Sequence, residues 1–423
     1  MTVVSDITHN KETAMRRRIP TATSFLALAV AMGMGQTGCS TAPAAVQATA
    51  PEQSSTQPTG YALMFQADPA WRGPVPRFDI DPSWPQAHEN WLIGHTTALY
   101  GTKDGHMWML QRPSSVVDDE ISTNWGSGVE CCVPAPPVIE FDPAGKVVRS
   151  WGGLGGPRQG PDWPENEHGI FVDYKDNVWV AGNGDHDGQV LKFSKTGQLL
   201  LRIGRRRKDG EKPNSNDTTV LFTATNAFVH PRTNEVFISD GYGHRRVIVF
   251  DADTGAYKRH WGAYGKRPDD SVPGIPSGKA TTPPQQFSTV HSVRISNDDL
   301  VYVADRVNNR MQVFQLDGTF VKEQFIEPKT GGQGTVSDFA FSPDPEQQFL
   351  YSADGSNQHI WVLDRKTLQI IGKFGRRGRN AGQWHWMHTL AADAQGNLYT
   401  GEGNNAKRGQ RFLFKGVSPS ATN

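Results

Sequence analysis

The sequence predicts an all-β chain folded as a six-bladed β-propeller. Two observations carry that expectation. A strand–turn–strand phrase recurs six times between about residue 88 and residue 416, with a closing strand that ends in Phe or Trp-Gly. Hairpin dipeptides fall between the alternating strands, as at Asp104-Gly105, Asp317-Gly318 and Gly396-Asn397. One four-stranded sheet per copy is the mark of a propeller, whereas a sandwich does not repeat one phrase.

The copies follow in chain order. The first starts near Thr97 (ALYGTKDGHMWMLQR) and continues at PPVIEFDPAGKVVRSWGG. The second is HGIFVDYKDNVWVAGN from His168, continued by QVLKFSKTGQLLLRIG. The third is NAFVHPRTNEVFISDGYG from Asn226, and the fourth is HSVRISNDDLVYVADR from His291. The fifth, DFAFSPDPEQQFLYSADG from Asp338, carries a two-residue insertion, and the sixth is HTLAADAQGNLYTGEG from His388.

The segment before the repeats differs in kind. Arg16, Arg17 and Arg18 precede an apolar stretch, Phe25 to Gly35, and Met15 would give that stretch a compact basic start. Its length suits an export signal and is too short for a membrane span. Residues 1–38 are therefore expected to be a signal peptide and the protein exported, as a periplasmic, membrane-anchored or secreted species. Thr37-Gly38-Cys39-Ser40 looks like a lipoprotein cleavage site, with a lipid anchor at Cys39, although Gln36 fits such a site poorly. Ordinary cleavage in the segment beyond is the alternative. Residues 39–87 read as a disordered tether and lead-in, and 417–423 as a C-terminal tail. Cys131 and Cys132 are adjacent, so they form a local bridge, hold metal or simply pack. Lys+Arg and Asp+Glu both number 43, which gives no basis for nucleic-acid binding. The run Arg205 to Lys208 reads as a solvated loop, and a monomer is expected.

Aligning the copies on the second-strand aromatic isolates a metal constellation. Trp179, Phe237, Tyr302 and Tyr399 lie 11 residues after His168, Asn226, His291 and His388, and Trp108 places Thr97 there in the first copy. Innermost strands line the channel of a propeller. Histidines in alternate blades would stand ~120° apart and converge on the axis. A single histidine at a strand start is ordinarily packed or solvated, and the chain has 13. Three at equivalent positions in strictly alternate blades point instead to a divalent metal. Three protein ligands with one open position describe a catalytic zinc site. His95, His106, His186, His230, His244, His260, His359 and His385 fall outside the pattern and are assigned to surface or core.

The loop after each second strand overhangs this cluster. Arg112 and Arg306 occupy it in opposite blades, where guanidinium groups suit a carboxylate. Tyr242 follows in the third blade, and a phenol beside a metal serves as a base when its pKa is lowered. Taken singly, each also suits a structural role, Arg pairing with a neighbouring Asp and Tyr capping a blade.

The phrase resembles the NHL repeat, through the Tyr302-Val-Ala-Asp-Arg306 strand end and the closing Phe-x-x-x-Gly strands. Asp240-Gly-Tyr-Gly-His-Arg-Arg246, Phe287-Ser-Thr-Val-His-Ser292 and Val303-Ala-Asp-Arg-Val-Asn-Asn-Arg-Met-Gln-Val-Phe314 are more specific. They resemble peptidyl-α-hydroxyglycine α-amidating lyase, the propeller half of the peptide C-terminal amidating system. The resemblance implies zinc on His168, His291 and His388, Tyr242 as base, and Arg112 and Arg306 around the substrate. It also implies Met387, just before the third histidine, as a substrate contact. Two residues depart from the family. Thr389 replaces an acidic residue that helps hold a structural calcium, which counts against calcium here, and Gly243 replaces a disulfide-forming Cys. Six blades account for the chain, so no copper monooxygenase half is expected, and another protein would supply a hydroxylated substrate.

The expected activity is thus a zinc-dependent carbon–nitrogen lyase acting on a small peptide or another carbinolamide. Two other classes stay open. One is a metallo-hydrolase on the same scaffold, although propeller lactonases typically bind calcium through carboxylate and Asn ligands. The other is a non-catalytic NHL propeller that binds a partner at the cell envelope.

Overall fold

Six antiparallel sheets follow one another along the chain, two of them completed by strands from before residue 88, in a computed structural model that describes residues 61–121, 132–153 and 162–419. Blade 2 shows the pattern. Its inner strand (Glu167–Val172), second strand (Val178–Gly182) and third strand (Gln189–Phe193) are buried throughout, and its outer strand (Leu199–Gly204) is largely exposed. Strands buried on both faces require neighbours on both sides, which a ring of blades supplies. Six apolar clusters lie at the six blade interfaces. One joins blades 1 and 2 through Trp108, Trp151 and Val180, and another joins blades 6 and 1 through Tyr399, Leu99 and Phe141. The second of these closes the ring.

The closure corrects one expected boundary. Residues 39–87 were expected to lead in as a tether, with the propeller starting at 88. Val75–Asp81 instead pairs antiparallel with Arg408–Ser418 as an outer strand of blade 6, and Phe65–Ala67 adds an edge strand to blade 5. Blade 6 draws only three strands from the chain after residue 386. The alternating Val75-Pro-Arg-Phe78-Asp-Ile80-Asp81 completes it, burying Phe78 and Ile80 in the blade 5–6 cluster. Pairing the two ends of the propeller also removes an open sheet edge. The last strand runs two residues past the expected end at 416. The expected signal segment, Cys39 and Cys131 lie outside the described residues. Cys132 is disulfide-bonded.

Candidate metal centre

The histidines reach the axis through a repeated backbone irregularity. In five blades the register between inner and second strands skips one residue: Thr97, His168, Thr225, His291 and His388. Such a bulge bends the strand and re-aims the extra side chain. In blade 3 the bulged residue is Thr225, not the Asn226 that spacing selects. The hairpin there is one residue longer between Phe228 and Phe237 than between Phe171 and Trp179.

The three imidazoles meet with ring centroids 4.8 to 4.9 Å apart. Each is oriented by the next blade. His168 Nδ1 lies 2.8 Å from the Thr225 carbonyl, His291 Nδ1 2.6 Å from that of Ser337, and His388 Nδ1 2.7 Å from that of Thr97. A carbonyl only accepts, so each Nδ1 carries the proton and each Nε2 is left as a bare lone pair. The even blades therefore supply ligands and the odd blades supply the carbonyls that orient them. Sequence reasoning missed those carbonyls, because a main-chain acceptor leaves no mark in residue type.

This donor set fits zinc. The ligand atoms lie within 4.8 Å of one another, and no other such cluster occurs among the described residues. Burial first, then the charges of His388 and Arg112, holds the His168 pKa well below its usual value. Burial, then Arg306, does the same for His291, and burial, then Arg112, brings His388 down to about 3. All three are neutral at neutral pH, the form that binds metal.

A pH dependence follows. Unfolded, each histidine takes up a proton near pH 6.5, and folded it refuses one until far lower pH. Metal-free protein should keep its full stability above about pH 6.5 and lose up to ~1.4 kcal/mol per histidine for each pH unit below that. The loss from His388 continues down to about pH 3. Urea midpoints in chelator should fall between pH 7 and 5, with a shallower fall in His388→Gln. Equal slopes in the two proteins would contradict this account.

The mouth of the channel carries Tyr242, Arg306 and Arg112. The Tyr242 hydroxyl lies 3.1 Å from His168 Nε2 and 3.2 Å from His291 Nε2, over the open side of the cluster. Its side chain is 38% exposed, so the site communicates with solvent. Arg306 Nη1 donates to the Tyr242 hydroxyl at 3.4 Å, and Nη2 donates to Gln333 Oε1 at 3.1 Å. The Arg306 Nε is buried without a partner, leaving one donor of the fork unused. Across the mouth, Arg112 Nε donates to the Glu167 carbonyl at 2.7 Å and Nη2 to Asn183 Oδ1 at 3.0 Å. Asn183 lies four residues past Trp179, as Arg112 and Arg306 lie four past Trp108 and Tyr302. The rule that selected the arginines thus also points to Asn183.

One expectation fails. Met387 is 1% exposed and packs in the blade 5–6 core with Phe374 and Trp384, so it is no substrate contact. It directly precedes the bulged residue, and neighbouring strand positions face opposite ways. The groups beside Thr389 do not suit calcium either, in line with the doubt that Thr389 raises. Asp338 Oδ1 accepts from Ser292 Oγ (2.7 Å) and its own neighbour Phe339 N (2.9 Å), and Oδ2 accepts from Thr389 Oγ1 (2.9 Å) and Leu390 N (3.1 Å). Arg294 Nη2 lies 3.4 Å from both oxygens. Calcium takes six to eight oxygen ligands. Here one carboxylate is saturated by donors, and the chain supplies its own cation.

The NHL repeat family model matches residues 287–314, the strand that carries His291 and the loop that carries Arg306. The chain is 29% identical over 245 residues to peptidylglycine alpha-amidating monooxygenase of Rattus norvegicus, covering 56% of this chain and 22% of that protein. It is 25% identical over 364 residues to peptidyl-alpha-hydroxyglycine alpha-amidating lyase 1 of Drosophila melanogaster, covering 79% of this chain and 60% of that one. It is 24% identical over 312 residues to NHL repeat-containing protein 3 of Mus musculus, covering 73% of each. The match thus spans about a fifth of the length of the monooxygenase. The chain is a six-bladed β-propeller with an NHL repeat, and it resembles the peptidyl-α-hydroxyglycine α-amidating lyases.

Proposed function

We propose that this protein is a zinc-dependent carbon–nitrogen lyase that cleaves a peptidyl-α-hydroxyglycine, or a similar carbinolamide, to an amide and glyoxylate. The observation that carries the reading is the Tyr242 hydroxyl set between two Nε2 atoms, with Arg306 beside it. Zinc, when bound to His168, His291 and His388, supplies Lewis-acid polarisation of a hydroxyl oxygen. Tyr242 takes the proton from the α-hydroxyl. The carbon–oxygen double bond forms as the carbon–nitrogen bond breaks, and the proton passes to the leaving amide nitrogen. Arg112 and Arg306 hold the carboxylate of the glyoxylate portion. The test is release of glyoxylate from a synthetic α-hydroxyglycine peptide by zinc-loaded protein, and its absence would reject the reading.

Arg306→Ala should raise KM and lower kcat by roughly tenfold each, because it removes a substrate anchor and the neighbour of Tyr242. Arg306→Lys should recover only part, since it lacks the planar fork. Steady-state kinetics checks this, and an unchanged KM in the alanine variant would contradict the anchor role.

A non-catalytic binding role has its own support in the similarity to NHL repeat-containing protein 3 along most of both chains. Zinc content separates the two, since a pure scaffold needs no metal. A hydrolase with carboxylate ligands has less support, because no Asp or Glu among the described residues joins the axial cluster. We also propose export, from the basic and then apolar start. Native protein should then lack about the first 38 residues by mass spectrometry, with an intact Met1 as the contrary result.

A further inference from the structure

Tyr242 rides on the loop Gly241–Arg245, between the second strand of blade 3 (Glu235–Asp240) and the third (Arg246–Asp251). Its two glycines fit tightly against neighbours. A Cβ at Gly241 would lie 2.1 Å from the carbonyl oxygen of Val290, the residue before His291. A Cβ at Gly243 would lie 2.1 Å from Phe222 Cδ1, and the Gly243 N–H donates to the Phe222 carbonyl at 3.0 Å. The loop therefore crosses directly over the strand that carries a ligand histidine, and its position sets the height of the phenol.

Beneath the loop lies a polar cluster that is wholly buried. Asp240 Oδ1 accepts from the Phe222 N–H at 2.8 Å. Its Oδ2 accepts from His244 Nδ1 at 2.7 Å and Arg246 Nε at 3.0 Å. On its far side His244 Nε2 accepts from the Asn214 N–H at 3.1 Å. Arg246 Nη1 donates to the Ser215 carbonyl at 2.8 Å and Nη2 to that of Val220 at 3.0 Å. An imidazole that donates from one nitrogen and accepts at the other ties the Tyr242 loop to segment 214–222, and no aliphatic side chain replaces both bonds. Neither the loop nor segment 214–222 contains a cysteine, so no disulfide ties them.

We propose that His244 is a positioning residue. With Asp240 and Arg246 it clamps the Gly241–Arg245 loop to segment 214–222 and thereby fixes the Tyr242 hydroxyl over His168 and His291. Its effect on turnover rests on the lyase reading, whereas its effect on the loop does not.

Two measurements on the zinc-loaded full chain test the clamp. In His244→Ala, amide exchange across 240–246 should rise by about tenfold or more, as a locally released segment opens more often. In the same variant kcat should fall by roughly 10- to 100-fold, with KM and bound zinc unchanged, because a small misplacement of a reacting group is costly. His244→Asn, which keeps a donor for Asp240, should recover part of both effects. His244→Gln replaces the alanine variant should that one not fold. His230→Ala is the control: this buried histidine of the same blade bonds Thr233 and Asp299 (2.9 Å each) away from the mouth. It should leave loop exchange and kcat as in the wild type. Unchanged loop exchange in His244→Ala, or a rise spread evenly over blade 3, overturns the clamp. If the wild-type chain turns over no hydroxyglycine peptide, the lyase reading falls and the exchange comparison still decides the clamp.

Discussion

Tyr242→Phe should lower turnover of a hydroxyglycine substrate by about 10²- to 10⁴-fold, the usual worth of a general base, with zinc content unchanged. The ring of Tyr242 packs edge-on against His168 and His291, at centroid distances of 5.2 and 5.8 Å, and phenylalanine preserves both contacts. Only the oxygen is lost, and with it the atom 3.1 and 3.2 Å from the two Nε2 nitrogens. Arg306 Nη1 also loses its acceptor, but its guanidinium stays in place through Gln333. KM should accordingly move little while kcat collapses, the pattern of an interaction made in the transition state. Wild-type turnover in this variant would remove Tyr242 from the chemistry while leaving the histidine cluster intact.

His291→Ala should abolish stoichiometric zinc binding while the propeller stays folded. Deleting a direct ligand should weaken binding by more than the 10- to 100-fold typical of losing an outer-shell partner. The fold should survive because the clusters flanking blade 4 are built from Val290, Val293, Tyr302 and their neighbours, without His291. The local cost is the Ser337 carbonyl, which loses its donor, on the order of 1–3 kcal/mol if it stays dry. Zinc at about a hundred times its dissociation constant should stabilise the wild type by about 2.7 kcal/mol. The variant should show no zinc-dependent rise in melting temperature. Full zinc stoichiometry in His291→Ala would refute the three-histidine site.

Much of this was legible because a propeller writes its geometry as a period. Each blade repeats one hydrophobic alternation, so a side chain that recurs at one phase of the phrase must recur at one radius of the ring. That is why His168, His291 and His388 were readable as a cluster without any knowledge of contacts. Arg112 and Arg306 were readable for the same reason, as loop positions of fixed phase. Where the phase slips, the reading slipped with it. One extra hairpin residue in blade 3 moved the axis-facing position from Asn226 to Thr225. The bulge at His388 leaves Met387, the residue before it, facing the core.

The sequence by itself determined the blade count, the alternation that buries the inner strands, and the alternate-blade histidines that face the axis. All of these follow from local periodicity. Tertiary structure alone decided the rest, because it depends on segments distant in the chain. Val75–Asp81 completes blade 6 only because ring closure brings it beside Arg408–Ser418. The bare Nε2 of each histidine exists only because a carbonyl of the next blade holds the Nδ1 proton. The Arg294–Asp338 pair occupies the channel beside Thr389 only because inner strands of blades 4, 5 and 6 converge there. Hydrogen-bond direction and charge neutralisation across blades are properties of the closed ring, and no single repeat contains them.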